Sequence, residues 1–174
     1  MSNHANTHRN VLNPLVLLFL TLLAISCATT ADTPNKALRY AAMQGRTADV
    51  QAALSAGADV NERSQSGATP LHWAAKGGHL DTAKALLRNG ADINAVENWT
   101  KDTPLHKAAL EGQVEMVRFL AANGADLRLT NRNGYTPARA VMIRYTNCLK
   151  QFYPGHYSCR RLEPAVRALQ QLSK

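Results

Sequence analysis

Aromatic side chains are scarce: 3 Phe, 2 Trp and 5 Tyr in 174 residues. Stacked rings therefore cannot fill the core, and apolar contact must come from Ala, Leu and Val. Long apolar runs are missing too. Leu15–Ile25 is a mainly apolar stretch of eleven residues with Thr21 its only polar member. About 20 are needed to cross a bilayer, so this run argues against a spanning helix and has the length of a signal-peptide core. Cysteine is limited to Cys27, Cys148 and Cys159. That is too few for a disulfide-dense scaffold and too scattered for a zinc site. No nucleophile motif, phosphate-cradling glycine loop or zinc pattern occurs, so no catalytic residue, metal ligand or cofactor is expected, and the chain is not expected to be an enzyme. Acidic side chains nearly vanish at one end. Residues 128–174 hold nine Lys/Arg and only Glu163, net +8, whereas residues 27–127 hold ten Lys/Arg and eleven Asp/Glu, net −1.

What is present is repetition. Thr69–Asn94 reads TPLHWAAKGGHLDTAKALLRNGADIN. It returns 34 residues later, at Thr103–Arg128, as TPLHKAALEGQVEMVRFLAANGADLR. It also stands 33 residues earlier, at Lys36–Asn61, as KALRYAAMQGRTADVQAALSAGADVN. A fourth copy opens at Thr136-Pro137 and then diverges. A fixed period of this length signals a stacked repeat architecture.

Each copy has a physical reading. Thr69 and Thr103 cap helix N-termini, with Pro70 and Pro104 at the first helical position, where a missing N–H costs nothing. Ala41-Ala42, Ala74-Ala75 and Ala108-Ala109 let neighbouring helices approach closely. Gly45, Gly78 and Gly112 end the first helix. Leu80, Ala83, Leu86 and Leu87, like Val114, Val117, Leu120 and Ala121, form the apolar stripe of a second helix. Gly57, Gly90 and Gly124 stand at a left-handed C-terminal cap. No single copy can bury its apolar face, so the copies must stack and function must lie on the exposed surface.

TPLH, the paired alanines, the mid-repeat glycine and the LL-x-x-GAD-x-N close resemble the ankyrin repeat. The resemblance covers residues 36–142 firmly and 143–174 loosely. It implies an all-α α-solenoid of about four helix–turn–helix repeats with short β-hairpin fingers and a diverged C-terminal cap. The repeats fall at about 34–66, 67–99, 100–133 and 134–174. A helix is expected from Pro137 to about Leu149. An insertion covers 150–163, and Pro164 opens the final helix. His72 and His106 recur in one register, which argues against converging metal ligands; the resemblance gives them a hydrogen bond within the turn. Three segments form the fingers: Glu62–Ala68, Ala95–Asp102 and Leu129–Tyr135. The middle one has an extra residue and Lys101 where Gly67 and Gly134 stand, so an irregular finger with Trp99 near its tip is expected.

In ankyrin domains the finger tips and the exposed side of the first helices line a concave, protein-binding face. Carried over by position, that face comprises Met43 and Gln44 of repeat one, and Gln65, Ser66, Ala68, Lys76 and Gly77 of repeat two. Repeat three contributes Trp99, Thr100, Asp102, Leu110 and Glu111. Repeat four contributes Arg132, Asn133, Tyr135, Ile143 and Arg144. Trp99 and Tyr135 lie on adjacent fingers and are the preferred anchors, since aromatic and Arg side chains dominate interface energetics. Their alternative role is packing of one finger on the next. A monomeric, non-catalytic scaffold for a protein partner is the function this implies.

The N-terminus adds a location. Residues 1–26 read as a signal peptide, and Ala24-Ile25-Ser26-Cys27 looks like a bacterial lipobox with Ala24 in place of the usual Leu. Lipidation at Cys27 is expected, with residues 27–33 as tether. Ala28 is compatible with sorting to the outer membrane, on the periplasmic side. The alternative is cleavage after Ala28 or Ala31 without lipid. With Cys27 acylated, Cys148 and Cys159 remain as a pair flanking the insertion, and an exported protein would hold them as a disulfide. Export makes nucleic acid an unsuitable partner. Two further functions stay open: the basic cap docking on an anionic envelope component, lipid headgroups or cell-wall polymer, or an immunity or inhibitor role against an envelope or toxin enzyme. The alternative role of the positive face is no more than to keep the protein soluble.

Overall fold

The computed structural model describes residues 34–152 and 156–172. The signal peptide, the tether and acylation at Cys27 lie outside the described residues. Eight helices occur among the described residues: α1 Pro34–Gln44, α2 Thr47–Ser55, α3 Pro70–Gly77, α4 Leu80–Arg88, α5 Pro104–Leu110, α6 Val114–Ala122, α7 Pro137–Gln151 and α8 Tyr157–Leu172. The odd-numbered helices stack on one another in one layer, and the even-numbered ones in a second. This is an all-α repeat solenoid. The three fingers are turns without an assigned strand.

The alanine pairs make the first layer possible. Ala41, Ala42, Ala74, Ala75, Ala108 and Ala109 are all 0–1% exposed. With nothing beyond Cβ, α1, α3, α5 and α7 come close enough to seal the interior. The second helices complete it with Val50, Leu86, Met116, Val117 and Leu120, each fully buried. A buried Leu contributes about 1.5–3 kcal/mol, so stability is spread along the stack.

Two hydrogen-bond ladders join successive repeats. In the first, the Thr69 amide donates to His72 Nδ1 at 3.1 Å, which leaves the proton on Nε2; Nε2 then donates to the Asp102 carbonyl of the next finger at 3.0 Å. His106 does the same, accepting from Thr103 at 3.3 Å and donating to the Tyr135 carbonyl at 2.9 Å. The bond expected within the turn is there, and a bond between repeats comes with it. At the N-terminal end Arg39 stands in this register and reaches the next finger through Glu62 at 3.1 Å. At the other end Arg139 stands there, and its guanidinium lies 5.2 Å from the Tyr135 ring centroid.

The second ladder explains the GAD-x-N close. Asn61 and Asn94 each accept, through Oδ1, the amide of Asp92 and Asp126 of the next repeat at 2.8–2.9 Å, and Asn35 at the start of α1 accepts that of Asp59 within the first repeat at 2.8 Å. Arg128 takes the asparagine position in the last full copy, so this ladder also stops before the cap.

The middle finger keeps its shape by other means. The outer fingers close identically: Ser64 donates to Ala68 and Gly67 to Ser64, as Asn131 donates to Tyr135 and Gly134 to Asn131, at 2.8–3.0 Å. In the middle finger Glu97 donates to Asp102 at 3.1 Å around one extra residue. Lys101 takes φ +57°, a left-handed conformation that Gly67 and Gly134 adopt at the matching positions. Lys107 of α5, standing where Trp73 stands in α3, reaches back to Glu97 at 2.7 Å and Asp102 at 3.4 Å. Thr100 donates to Glu97 at 2.7 Å and Asn131 to Asp102 at 3.0 Å.

The cap departs from expectation in one respect. Pro164 does not open the final helix. That helix starts at Tyr157 and runs through Pro164. Pro164 and Arg160 are both exposed, so the carbonyl that loses its helical donor lies on the solvent side. The His156 carbonyl accepts the amides of Cys159 and Arg160 at 3.0 and 3.1 Å and starts the helix. The expected insertion over 150–163 thus shrinks, since α7 already reaches Gln151 and α8 absorbs 157–163. Cys148 near the end of α7 and Cys159 in the first turn of α8 form a disulfide, with Cα atoms 5.6 Å apart.

Candidate protein-binding face

The expected face divides into residues gathered round one cleft and residues scattered outside it. A cleft of about 630 Å³ opens between the last two fingers and the cap. Trp99, Thr100, Arg132 and Asn133 line it from the finger tips, with Tyr135 behind them. Leu110 of α5 and Ile143 and Arg144 of α7 line its helical side. Met43, Gln44, Gln65 and Lys76 are exposed but lie elsewhere on the stack. Ser66 is half-buried, its carbonyl accepting the Asn98 amide at 2.9 Å. Lys76 lies over the Trp73 ring, 5.7 Å from its centroid. Glu111 stands beside the cleft, 3.7 Å from Arg144.

Two expected surface residues are not on the surface. Ala68 is 1% exposed and Asp102 is 4% exposed. Both occupy the finger's last position, which turns inward so that its carbonyl can close the turn. Asp102 borders the cleft only from below, its carboxylate held by Lys107 and Asn131.

The anchors fare differently from each other. Trp99 is 68% exposed at the middle finger's tip, among the most exposed large apolar side chains described. Tyr135 is half-buried, with one ring face covered by Arg139. Arg132 and Arg144 carry part of the fold. Arg132 donates to the Asn98 carbonyl at 3.3 Å, and its amide to the Thr100 carbonyl at 2.7 Å. Arg144 donates to the Leu110 carbonyl. That bond repeats a pattern: His79 lies within hydrogen-bond reach of the Met43 carbonyl at 3.1 Å, and Gln113 donates to that of Lys76 at 3.2 Å.

The sequence reading missed the far wall. Asn147, Cys148, Gln151 and Phe152 of the α7 end, with Ser158 and Leu162 of α8, close the cleft. The signal was available: Tyr145 stands where Gly78 and Gly112 stop α3 and α5, so α7 runs on and overhangs the fingers.

Burial holds both His72 and His106 below the ordinary histidine range, against the opposing pull of the carbonyls they bond. Their Nδ1 and Nε2 atoms are used within the fold. Among the described residues no three of His, Cys, Asp and Glu converge to hold a metal ion. None of their helices is long and apolar enough to cross a membrane.

Comparison with known proteins agrees with the fold. A family model described as ankyrin repeats, in three copies, matches residues 8–97 and 38–131. The bovine ankyrin repeat domain-containing protein 49 is 47% identical over 64 residues, which is 36% of this chain and 27% of that protein. The Drosophila melanogaster ankyrin repeat and KH domain-containing protein mask is 44% identical over 62 residues, 36% of this chain and 2% of that one. Human protein phosphatase 1 regulatory subunit 27 is 35% identical over 80 residues, 46% of this chain and 52% of the regulatory subunit. The matched part thus spans between a fiftieth and about half of these relatives.

Proposed function

The chain belongs to the ankyrin-repeat family, and from that premise we propose that it is a non-catalytic scaffold that takes a partner protein into the cleft between its last two fingers and its cap. The observation that carries this reading is Trp99, 68% exposed beside that cleft. An exposed Trp at the mouth of a concave, largely apolar site is the residue type that anchors interfaces. A relative named as a regulatory subunit of a phosphatase fits a binding role. Replacing Trp99 by a photo-cross-linking amino acid in cells is expected to capture one dominant protein, with no capture from position 65. Trp99→Ala should then weaken that complex by about 2 kcal/mol. An absence of any Trp99-dependent protein adduct would refute the scaffold reading.

The same proposal places the domain outside the cytoplasm, tethered by lipid on Cys27 at the periplasmic side of a bacterial outer membrane. Leu15–Ile25, the following Ser26-Cys27 and the Cys148–Cys159 bond support it, because disulfides persist in oxidising compartments. The intact mass of the mature chain is expected to correspond to an acylated N-terminus at Cys27. An unmodified N-terminus at Thr29 or Asp32 would overturn the anchor. One observation favours a second reading, docking of the cap on an anionic envelope component. Tyr157 is 79% exposed, and Lys150, Arg160 and Arg161 have no carboxylate partner among the described residues. Salt-labile binding to anionic liposomes or wall polymer, unaffected by Trp99→Ala, would select it.

A further inference from the structure

Three features set the cleft apart from an open groove along a repeat stack. It is closed at one end. α3 stops at Gly77, seven residues after its proline, whereas α7 continues to Gln151, fourteen after its own. The overhang and the start of α8, stapled together by the disulfide, form an end wall.

The floor is apolar: Leu110 and Ile143 are half-buried, and Ala140 and Leu162 are 7% and 4% exposed.

The charge at the mouth is mostly of one sign. Arg132 and Arg144 line it, Lys101 lies between two lining residues, and Lys150 adjoins Gln151. Asp102 is the sole lining carboxylate among the described residues; its side chain is 5% exposed and matched by Lys107. Glu111 stands 3.7 Å from Arg144, a loose pair. The carbonyls of Asn98 and Leu110 aim the two guanidinium groups without neutralising them. Each guanidinium has five N–H donors, so donors remain for a ligand.

We propose that the cleft receives an acidic segment of the partner protein: an apolar side chain enters against Leu110, Ile143 and Leu162, and carboxylates flanking it face Arg132 and Arg144. This rests on the protein-binding reading above. The cleft volume lies within the range of about 300–1,000 Å³ that encloses a small ligand. A bilayer surface is too broad to enter a closed-ended cleft, and a bare anion would leave its apolar floor exposed. An extended peptide satisfies both the floor and the rim.

The test titrates the full-length chain with acetyl-Asp-Glu-Leu-Phe-Glu-Asp-amide and with the same peptide carrying Lys at every acidic position. Tryptophan fluorescence and backbone amide shifts report binding. The acidic peptide should saturate, move resonances around Trp99, Arg132 and Ile143, and bind about ten-fold or more tightly than the basic one. That preference should shrink in about 0.5 M salt. Arg132→Gln should weaken only the acidic peptide. Equal binding of the two peptides, no saturable binding of the acidic one, or shifts confined to α2, α4 and α6 would overturn the proposal. A partner cross-linked at Trp99 through a neutral or basic segment would also overturn it and leave the scaffold reading standing. Acidic-peptide binding with no cross-linked protein would uphold the cleft's chemistry and refute the scaffold.

Discussion

The junction between α3 and α4 and the junction between α7 and α8 connect the same kind of helix pair in opposite ways. The first uses two residues, Gly78 and His79; the glycine turns the chain at φ +73° and the histidine reaches the Met43 carbonyl of the preceding repeat. The second has lost that glycine, lets α7 run on, and fastens the ends with Cys148–Cys159. The middle finger contrasts with its neighbours in the same way. Where the consensus residue is kept, backbone geometry suffices. Where it is lost, a local device replaces it: a covalent bond in the cap, an ion-pair cluster in the finger.

Removing the covalent device should have the largest effect. Cys148→Ser, or reduction, opens a loop of sequence separation 11, worth about 3 kcal/mol in the chain-entropy model. Hydrogen exchange should accelerate in α8 and the end of α7 before it does in α3–α6. Uniform loosening of all repeats would erase the distinction between the two junctions.

The ion-pair cluster comes next. Lys107→Met leaves Glu97 and Asp102 largely buried without their cation, and should lower stability by about 2 kcal/mol near neutral pH. Chemical denaturation of the variant is expected to show the deficit, and adding Glu97→Gln and Asp102→Asn to it should recover part of the loss. The matching change at the other finger, Trp73→Met, removes no cation and should not be rescued by Glu97→Gln and Asp102→Asn.

The histidine ladder supplies a third test. Folding lowers both imidazole pKa values, so above the unfolded value of about 6.5 both states are neutral and the pair adds no pH dependence. Below it the unfolded chain binds protons that the folded chain refuses. Stability should therefore fall as pH drops from about 6.5 towards the lower folded values, by at most about 1.4 kcal/mol per pH unit for each histidine. Denaturant midpoints of the wild type and the His72→Gln, His106→Gln double variant would reveal it; parallel pH profiles would count against the ladder.

The smallest effect has the opposite sign. Lys101→Gly removes the cost of a side chain at φ +57° and should raise stability by about 1 kcal/mol. A loss would mean that Lys101 makes a contact more favourable than its backbone strain is costly.

The repeated helix pairs, their ends in the central copies and the exposed Trp99 were legible because each rests on a local signal: a period, a capping Thr-Pro, a glycine, an extra finger residue. What was not legible depended on partners far apart in the chain. Pro164 reads locally as a helix start, yet His156 and the bond from Cys159 to Cys148 begin the helix seven residues earlier. Arg144 reads as a free recognition residue until α7 proves to carry it to the Leu110 carbonyl. Ala68 and Asp102 follow the tips in sequence, but the closing turn carries them inward. Lys107 was overlooked because its two carboxylates lie five and ten residues away on another element.

The two hydrogen-bond ladders also bear on how the number of repeats could change. A copy of Thr69–Asp102 inserted after Asp102 would continue both ladders: its histidine would face a finger, its asparagine an aspartate amide, and the displaced copies would keep theirs, while its Trp73 would need to become Lys to pair the preceding Glu97 and Asp102 as Lys107 does. Copies added beyond the cap would find nothing to join, because Arg128 and Arg139 stand where an asparagine and a histidine would be needed. The first unit is likewise particular, with Arg39 engaging Glu62 in place of the histidine bond. Duplication or deletion within the middle should yield longer or shorter folded arrays, while the end units must be kept in place, so variation in length is confined to the interior of the gene.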